Sequence, residues 1–205
     1  GGGAYKLDRH TLQLSKFTET NLDVNSFAID NQGYLWITTL NGLYCYNKNL
    51  KIEKVYTNLN STLVDDKVNY LYIDTKERCW VATDKGLQFL NTKEGIFSDE
   101  SLPAELHELP PVTYMTEDRQ GNFLFCFNKN RVFICDSTFN HLRYVCTPED
   151  AGYLGYSIRE VLQDKANNYW LVGSRGVVKG DSALNHFTLF SSTEGLPEPY
   201  SNDGQ

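Results

Sequence analysis

Residues 29–47 read "IDNQGYLWITTLNGLYCYN": an acid, a glycine three residues on, a tryptophan three after that, then Asn-Gly and a tyrosine-rich alternation. The pattern returns in "IDTKERCWVATDKGLQFLN", Ile73 to Asn91, where Asp74, Trp80 and Gly86 each lie 44 residues after Asp30, Trp36 and Gly42. A third copy, "EDRQGNFLFCFNKNRVFICD", places Asp118 another 44 residues on, keeps Gly121 and has Leu124 at the tryptophan position. A fourth, "QDKANNYWLVGSRGVVKG", places Asp164, Trp170 and Gly176 46 residues further. A motif recurring at this period is one supersecondary unit that buries its faces by stacking on its neighbours.

Each copy divides into four strands. In the first, "VNSFAID" (24–30) is mostly apolar and suits an inner strand. "YLWITT" (34–39) and "GLYCYN" (42–47) alternate. "IEKVYT" (52–57) is polar, as an outer edge should be, since its charges discourage edge pairing. The connections are short and carry turn residues. Four short antiparallel strands graded from apolar to polar, repeated every 44 or so residues, predict an all-β propeller of four-stranded blades. Helical spacing is not sustained, and the best helix candidate, "LPAELHEL" (102–109), is boxed in by Pro103 and Pro110.

The recurring acids have a structural explanation. Asp30 with Gly33 three residues later is type I turn chemistry: the carboxylate accepts backbone N–H groups and glycine relieves the exit. Asp74, Asp118 and Asp164 stand at the same place, and a turn acid is needed once per blade whereas a catalytic acid is normally unique. Trp36, Trp80 and Trp170 are expected to pack between neighbouring blades. Gly42, Gly86 and Gly176 serve the next hairpin turn, where a positive φ is needed, with Asn130 in that place in the third copy.

Composition narrows the function. Aromatics are 13% of 205 residues, with 13 Tyr and 11 Phe against one Met, which suits strands. The formal charge of −7 and the lack of a basic cluster argue against nucleic acid as a partner. No apolar run approaches the roughly 20 residues that span a bilayer, so no membrane contact is expected within this region. The five cysteines, Cys45, Cys79, Cys126, Cys135 and Cys146, form no C-x-x-C pair and are expected to be small buried hydrophobes. The histidines, at 10, 107, 141 and 186, have no metal spacing, and no metal or cofactor is expected.

The motif D-x-x-G-x-L-W-I-x-T-x-x-G-L-x-x-Y resembles the two-component regulator propeller repeat. Asp30, Gly33, Leu35, Trp36, Ile37, Thr39, Gly42, Leu43 and Tyr46 match it. The second copy departs at Glu77 and the fourth at Asn167, each in place of the turn glycine. The resemblance covers essentially the whole chain. The expected layout is the outer strands of a preceding blade over 1–20, blades over 21–64, 65–108, 109–152 and 153–192, and a connection to a next blade over 193–205. That is about four complete blades with partial ones at the ends, a piece of a larger propeller.

The resemblance implies an extracytoplasmic, periplasmic sensor module of a two-component histidine kinase. Its ligand would be a glycan-derived oligosaccharide or other small extracellular molecule, and its output a rearrangement of domains or subunits. It would be non-catalytic itself, with the remaining blades of the parent chain and a second copy as partners. The alternatives are a secreted propeller enzyme of lyase or glycosidase type and a protein-interaction propeller. Ligand contacts are expected on the loops of one rim. Lys85, Lys129 and Arg175 come from equivalent turns, and Tyr153 and Tyr156 lie in a glycine-spaced loop of the kind a sugar ring stacks on.

Overall fold

The structure is a computed structural model that describes residues 4–17, 22–100, 102–107, 109–127, 131–145, 158–173 and 176–190. It forms two compact units, Gly1–Ser101 and Leu102–Gln205.

The first unit opens with a hairpin of β1 (Tyr5–Leu7) and β2 (Leu14–Lys16). Two four-stranded antiparallel sheets follow. One contains β3 (Val24–Ile29), β4 (Leu35–Thr39), β5 (Gly42–Tyr46) and β6 (Ile52–Tyr56). The other contains β7 (Val68–Ile73), β8 (Cys79–Thr83), β9 (Gly86–Asn91) and β10 (Ile96–Ser98). The second unit begins with a single helical turn, α1 (Ala104–His107). It continues with β11 (Val112–Glu117), β12 (Phe123–Phe127), β13 (Arg131–Cys135) and β14 (Leu142–Val145). Its last sheet is β15 (Ile158–Gln163), β16 (Tyr169–Gly173), β17 (Val177–Gly180) and β18 (Phe187–Phe190). In all four sheets the strands pair in chain order, which is the blade pattern expected from the repeats.

The blades share detail. The first strand of each carries a register shift at its second residue: Asn25, Asn69, Thr113 and Arg159 are the extra residues. A bulge at that position bends the strand and adds local twist. Three of the four second strands are buried without interruption or nearly so, namely β4, β8 and β12. The polar edge reading of "IEKVYT" holds, since Ile52, Glu53 and Lys54 are exposed while Tyr56 is buried. The inner-strand reading of "VNSFAID" holds less well: Phe27 and Ile29 are 69% and 65% exposed, whereas β7 and β11 have no exposed residue.

Stacking of consecutive blades makes the cores. In the first unit Trp36, Leu43, Cys45 and Tyr56 of one blade meet Leu71, Cys79, Val81 and Phe97 of the next. In the second unit Leu124, Cys126 and Val132 meet Val161, Tyr169, Leu171 and Val178. Each fully buried side chain of this size stabilises by about 1.5–3 kcal/mol.

Candidate functional site

The repeat acids are clasps within each blade. Asp30 Oδ1 accepts the Tyr34 N–H at 2.8 Å, and Oδ2 accepts the Trp36 indole N–H at 3.0 Å. Asp74 accepts Lys76 N, Arg78 N, Arg78 Nε and Trp80 Nε1, all between 2.6 and 2.9 Å. Asp164 accepts Ala166 N, Asn168 N, Asn168 Nδ2 and Trp170 Nε1. The bonds from Asn168 and Trp170 hold its carboxyl down at about 2. The turn itself closes by backbone bonds such as Gly33 N to Asp30 O at 2.9 Å. Glu77 and Asn167, which replace the turn glycine, keep its left-handed backbone at φ 61° and 63°. The next turn is also as expected, with Gly42 at φ 110° and Gly86 at φ 138°. Thr39 and Thr83 cap it by donating to the carbonyls of Gly42 and Gly86.

The third blade solves the same problem differently. Leu124 cannot donate, and Asp118 Oδ2 instead accepts the Tyr169 hydroxyl at 2.7 Å from the following blade. Burial, together with this bond to Asp118, pushes the Tyr169 phenol well above its ordinary range.

Aromatic residues and polar groups meet in a cleft of about 270 Å³ in the first unit. Tyr34, Trp36 and Tyr56 form its aromatic side, and Gln32, Glu53 and Lys54 its polar side. Trp36 and Tyr56 stack with ring centroids 6.3 Å apart. Glu53 Oε2 accepts Asn47 Nδ2 at 3.0 Å. The Tyr56 hydroxyl is buried without a hydrogen-bond partner, and Lys54 Nζ stands 5.9 Å from the ring centroid. An apolar aromatic wall beside a few polar groups is the usual composition of a small-molecule site. Sequence reading missed this cleft. Its signal was the aromatic excess at strand positions, which packing alone also explains.

Of the residues singled out from sequence, Lys85 is 61% exposed in its side chain and lies 3.5 Å from Asp65. Lys129, Arg175, Tyr153 and Tyr156 lie outside the described residues. Cys45, Cys79, Cys126 and Cys135 are buried and free, in strands as expected, while Cys146 lies outside the described residues. Burial pushes the Cys45 and Cys135 thiols up to about 11 and those of Cys79 and Cys126 higher still. Protonated buried thiols are poor nucleophiles. His141 and His186 each pair through Nδ1 with the acid of their own turn, Asp136 and Asp181. Among the described residues no three His, Cys, Asp or Glu side chains gather where they could hold a metal ion. Among the same residues no helix is long and apolar enough to cross a membrane.

Comparison with known proteins agrees with this architecture. The two-component regulator propeller family matches residues 18–41, the segment that opens the first complete blade. Histidine kinase P4 of Formosa agariphila is 26% identical over 190 residues, covering 85% of this chain and 13% of its own length. The extracellular domain of a hybrid two-component system from B. thetaiotaomicron superposes with a TM-score of 0.73 at 18% identity, over 94% of this chain and 26% of its own. Virginiamycin B lyase of Staphylococcus aureus shares the fold at a TM-score of 0.61 and 19% identity, over 85% of this chain and 57% of its own. This chain thus spans a small part of the histidine kinase it resembles. Residues 18–41 match the two-component regulator propeller repeat, and the described strands form four-stranded blades of propeller type.

Proposed function

We propose that this chain is part of the ligand-receiving, periplasmic region of a two-component histidine kinase, and that its ligand is a glycan-derived oligosaccharide. The observation that carries the reading is the regulator propeller repeat at residues 18–41, in a chain 26% identical to a histidine kinase. The cleft of the first unit supports a sugar ligand, because the half-buried Tyr34 ring gives a pyranose a face to meet while Gln32, Glu53 and Lys54 can bond its hydroxyls, with Trp36 and Tyr56 buried behind them. Binding would act by favouring one arrangement of domains or subunits over another, through its differential affinity for the two. In this reading the region itself performs no chemistry.

The test is calorimetric titration of the chain with a panel of neutral and acidic oligosaccharides, with product analysis of each mixture. Saturable binding without turnover, weakened by Tyr34→Ala, is the expected result. Turnover of any member of the panel would replace the sensor reading with that of a propeller enzyme. No binding across the panel would remove the glycan while leaving the kinase kinship to be tested by signalling in the parent protein.

A further inference from the structure

The β1–β2 hairpin has the build of a blade's outer half. Asp8 Oδ1 accepts the His10 and Thr11 N–H groups, and the Asp8 carbonyl accepts Leu12 N, with Leu12 in the left-handed region at φ 56°. The turn from third to fourth strand of the complete blades is closed in the same way, by Asn47 with Leu50, Asn91 with Gly95, Asp136 with Phe139 and Asp181 with Leu184, each second residue at positive φ. β1 and β2 are therefore a third and a fourth strand, and among the described residues their sheet has no other. Its inner edge can be read from the bonds that are made. Asp8 N donates to Gln13 O and Phe17 N to Ala4 O, both across the hairpin. Antiparallel bonding alternates, so Tyr5 and Leu7 turn their N–H and C=O groups to the opposite edge, where no described strand pairs with them.

The face of the next blade beside that edge is uncovered. Phe27, Leu71 and Val161 hold one position: each lies opposite the middle of its second strand, at Ile37, Val81 and Leu171. Leu71 shares a core with Trp36 and Cys45, and Val161 with Leu124 and Cys126, which are second- and third-strand residues of the preceding blade. Leu71 is 2% exposed and Val161 3%, whereas Phe27 is 69% exposed, with Ile29 on the same side. The hairpin does reach this blade, through the Phe17 ring 5.0 Å from that of Tyr46. The uncovered part continues that contact inward, where a second strand beside β1 would lie.

We propose that the open edge of β1 and the apolar face at Phe27 and Ile29 are one docking slot for a β-hairpin of the repeat's own inner-strand type. Its second strand pairs antiparallel with Tyr5–Leu7, and the side chain at its tryptophan position rests on Phe27, as Trp36 does beside Leu71. Main-chain bonds to a free edge give such docking its affinity, and the side chains that meet the face give it specificity. The four inner pairs described here are each held in their own blade, so the occupant is a further pair. The parent polypeptide outside these residues supplies it, in keeping with a chain that covers 13% of the histidine kinase it resembles. The slot is separate from the aromatic cleft and stands whether or not that cleft binds sugar.

The probe is a synthetic peptide of residues 24–39, VNSFAIDNQGYLWITT, titrated into the 205-residue chain. Saturable binding is expected, with slowed hydrogen exchange at the Tyr5 and Leu7 amides and little change at Lys6, which already faces β2. A peptide with aspartate in place of Trp36 should bind at least about tenfold more weakly. Phe27→Asp in the chain should weaken binding of the parent peptide by a similar factor, with Ile29→Lys as the second variant. Both residues face solvent, so neither change should lower Tm. Absence of binding overturns the proposal, as does binding that leaves Tyr5 and Leu7 unprotected or is indifferent to both variants. Sedimentation of the chain alone tests the rival occupant: a dimer that protects Tyr5 and Leu7 and is not dissociated by the peptide would assign the slot to a second copy and overturn it too.

Discussion

Trp36 and Leu124 stand at the same place in their blades, and the carboxylates beside them are served from different directions. In the first unit the donor is six residues away in the same blade, and the indole also fills the gap to the next blade. In the third blade the donor is Tyr169, from the following blade, and its buried ring packs in the core between the two. The acceptor is thus the fixed element of the design and the donor is interchangeable. What changes with the donor is its origin: a ring of the same blade is replaced by a ring of the next, and the leucine left behind only packs.

Removing the fixed element should have the largest effect. Asp74→Ala leaves the Arg78 guanidinium and the Trp80 N–H without a carboxylate whose side chain is fully buried. We expect a loss of about 3–5 kcal/mol by urea denaturation. A loss under about 1 kcal/mol would show that the acid is not what the blades have in common.

Trp36→Leu gives the first blade the third blade's leucine without the tyrosine that completes the clasp there. The expected loss is about 2–3 kcal/mol by urea denaturation. Retained stability would show that the indole is dispensable to the clasp. Tyr169→Phe removes the substitute donor and should cost about 1.5–2 kcal/mol in the same assay, since the lost bond is to a buried carboxylate. If it costs nothing, the hydroxyl is not standing in for the indole.

The smallest effect concerns acid. The Asp164 carboxyl titrates at about 2 in the folded chain, below the ordinary carboxylate value of about 3.9. Its contribution is therefore complete above about pH 4 and is lost as pH falls toward about 2. Asp164→Asn should flatten that part of the profile of urea midpoint against pH. A variant profile that falls as steeply as the parent's would assign the acid sensitivity to other turns, such as that of Asp181.

Much of this was legible in the sequence, because a blade is specified locally. The strand limits of the first blade fall within a residue of those expected, since Gly33 and Gly42 fix both of its early turns. Glu77 and Asn167 could be read as occupants of a left-handed position from the repeat alone, and they are. The Tyr169 bond to Asp118 could not, because it spans 51 residues and depends on how two blades stack. The leucine at 124 was visible as a departure, but its compensation is a side chain of the next blade, which no single repeat contains. The loop residues expected to meet a ligand, Lys129, Arg175, Tyr153 and Tyr156, lie outside the described residues.

The distance in sequence between Asp30 and Trp36 has a consequence for how the chain comes to be folded. A clasp closed over six residues forms without waiting for any distant segment. Hairpins joined by such turns give low contact order within a blade, and local contacts form early. A chain made of these units can shape each one as it leaves the ribosome, in order. The third blade closes its acid turn locally too, on Gln120 and Asn122, but the last bond to Asp118 comes from a tyrosine 51 residues downstream. Its clasp is the one that is completed only after the next blade has been made.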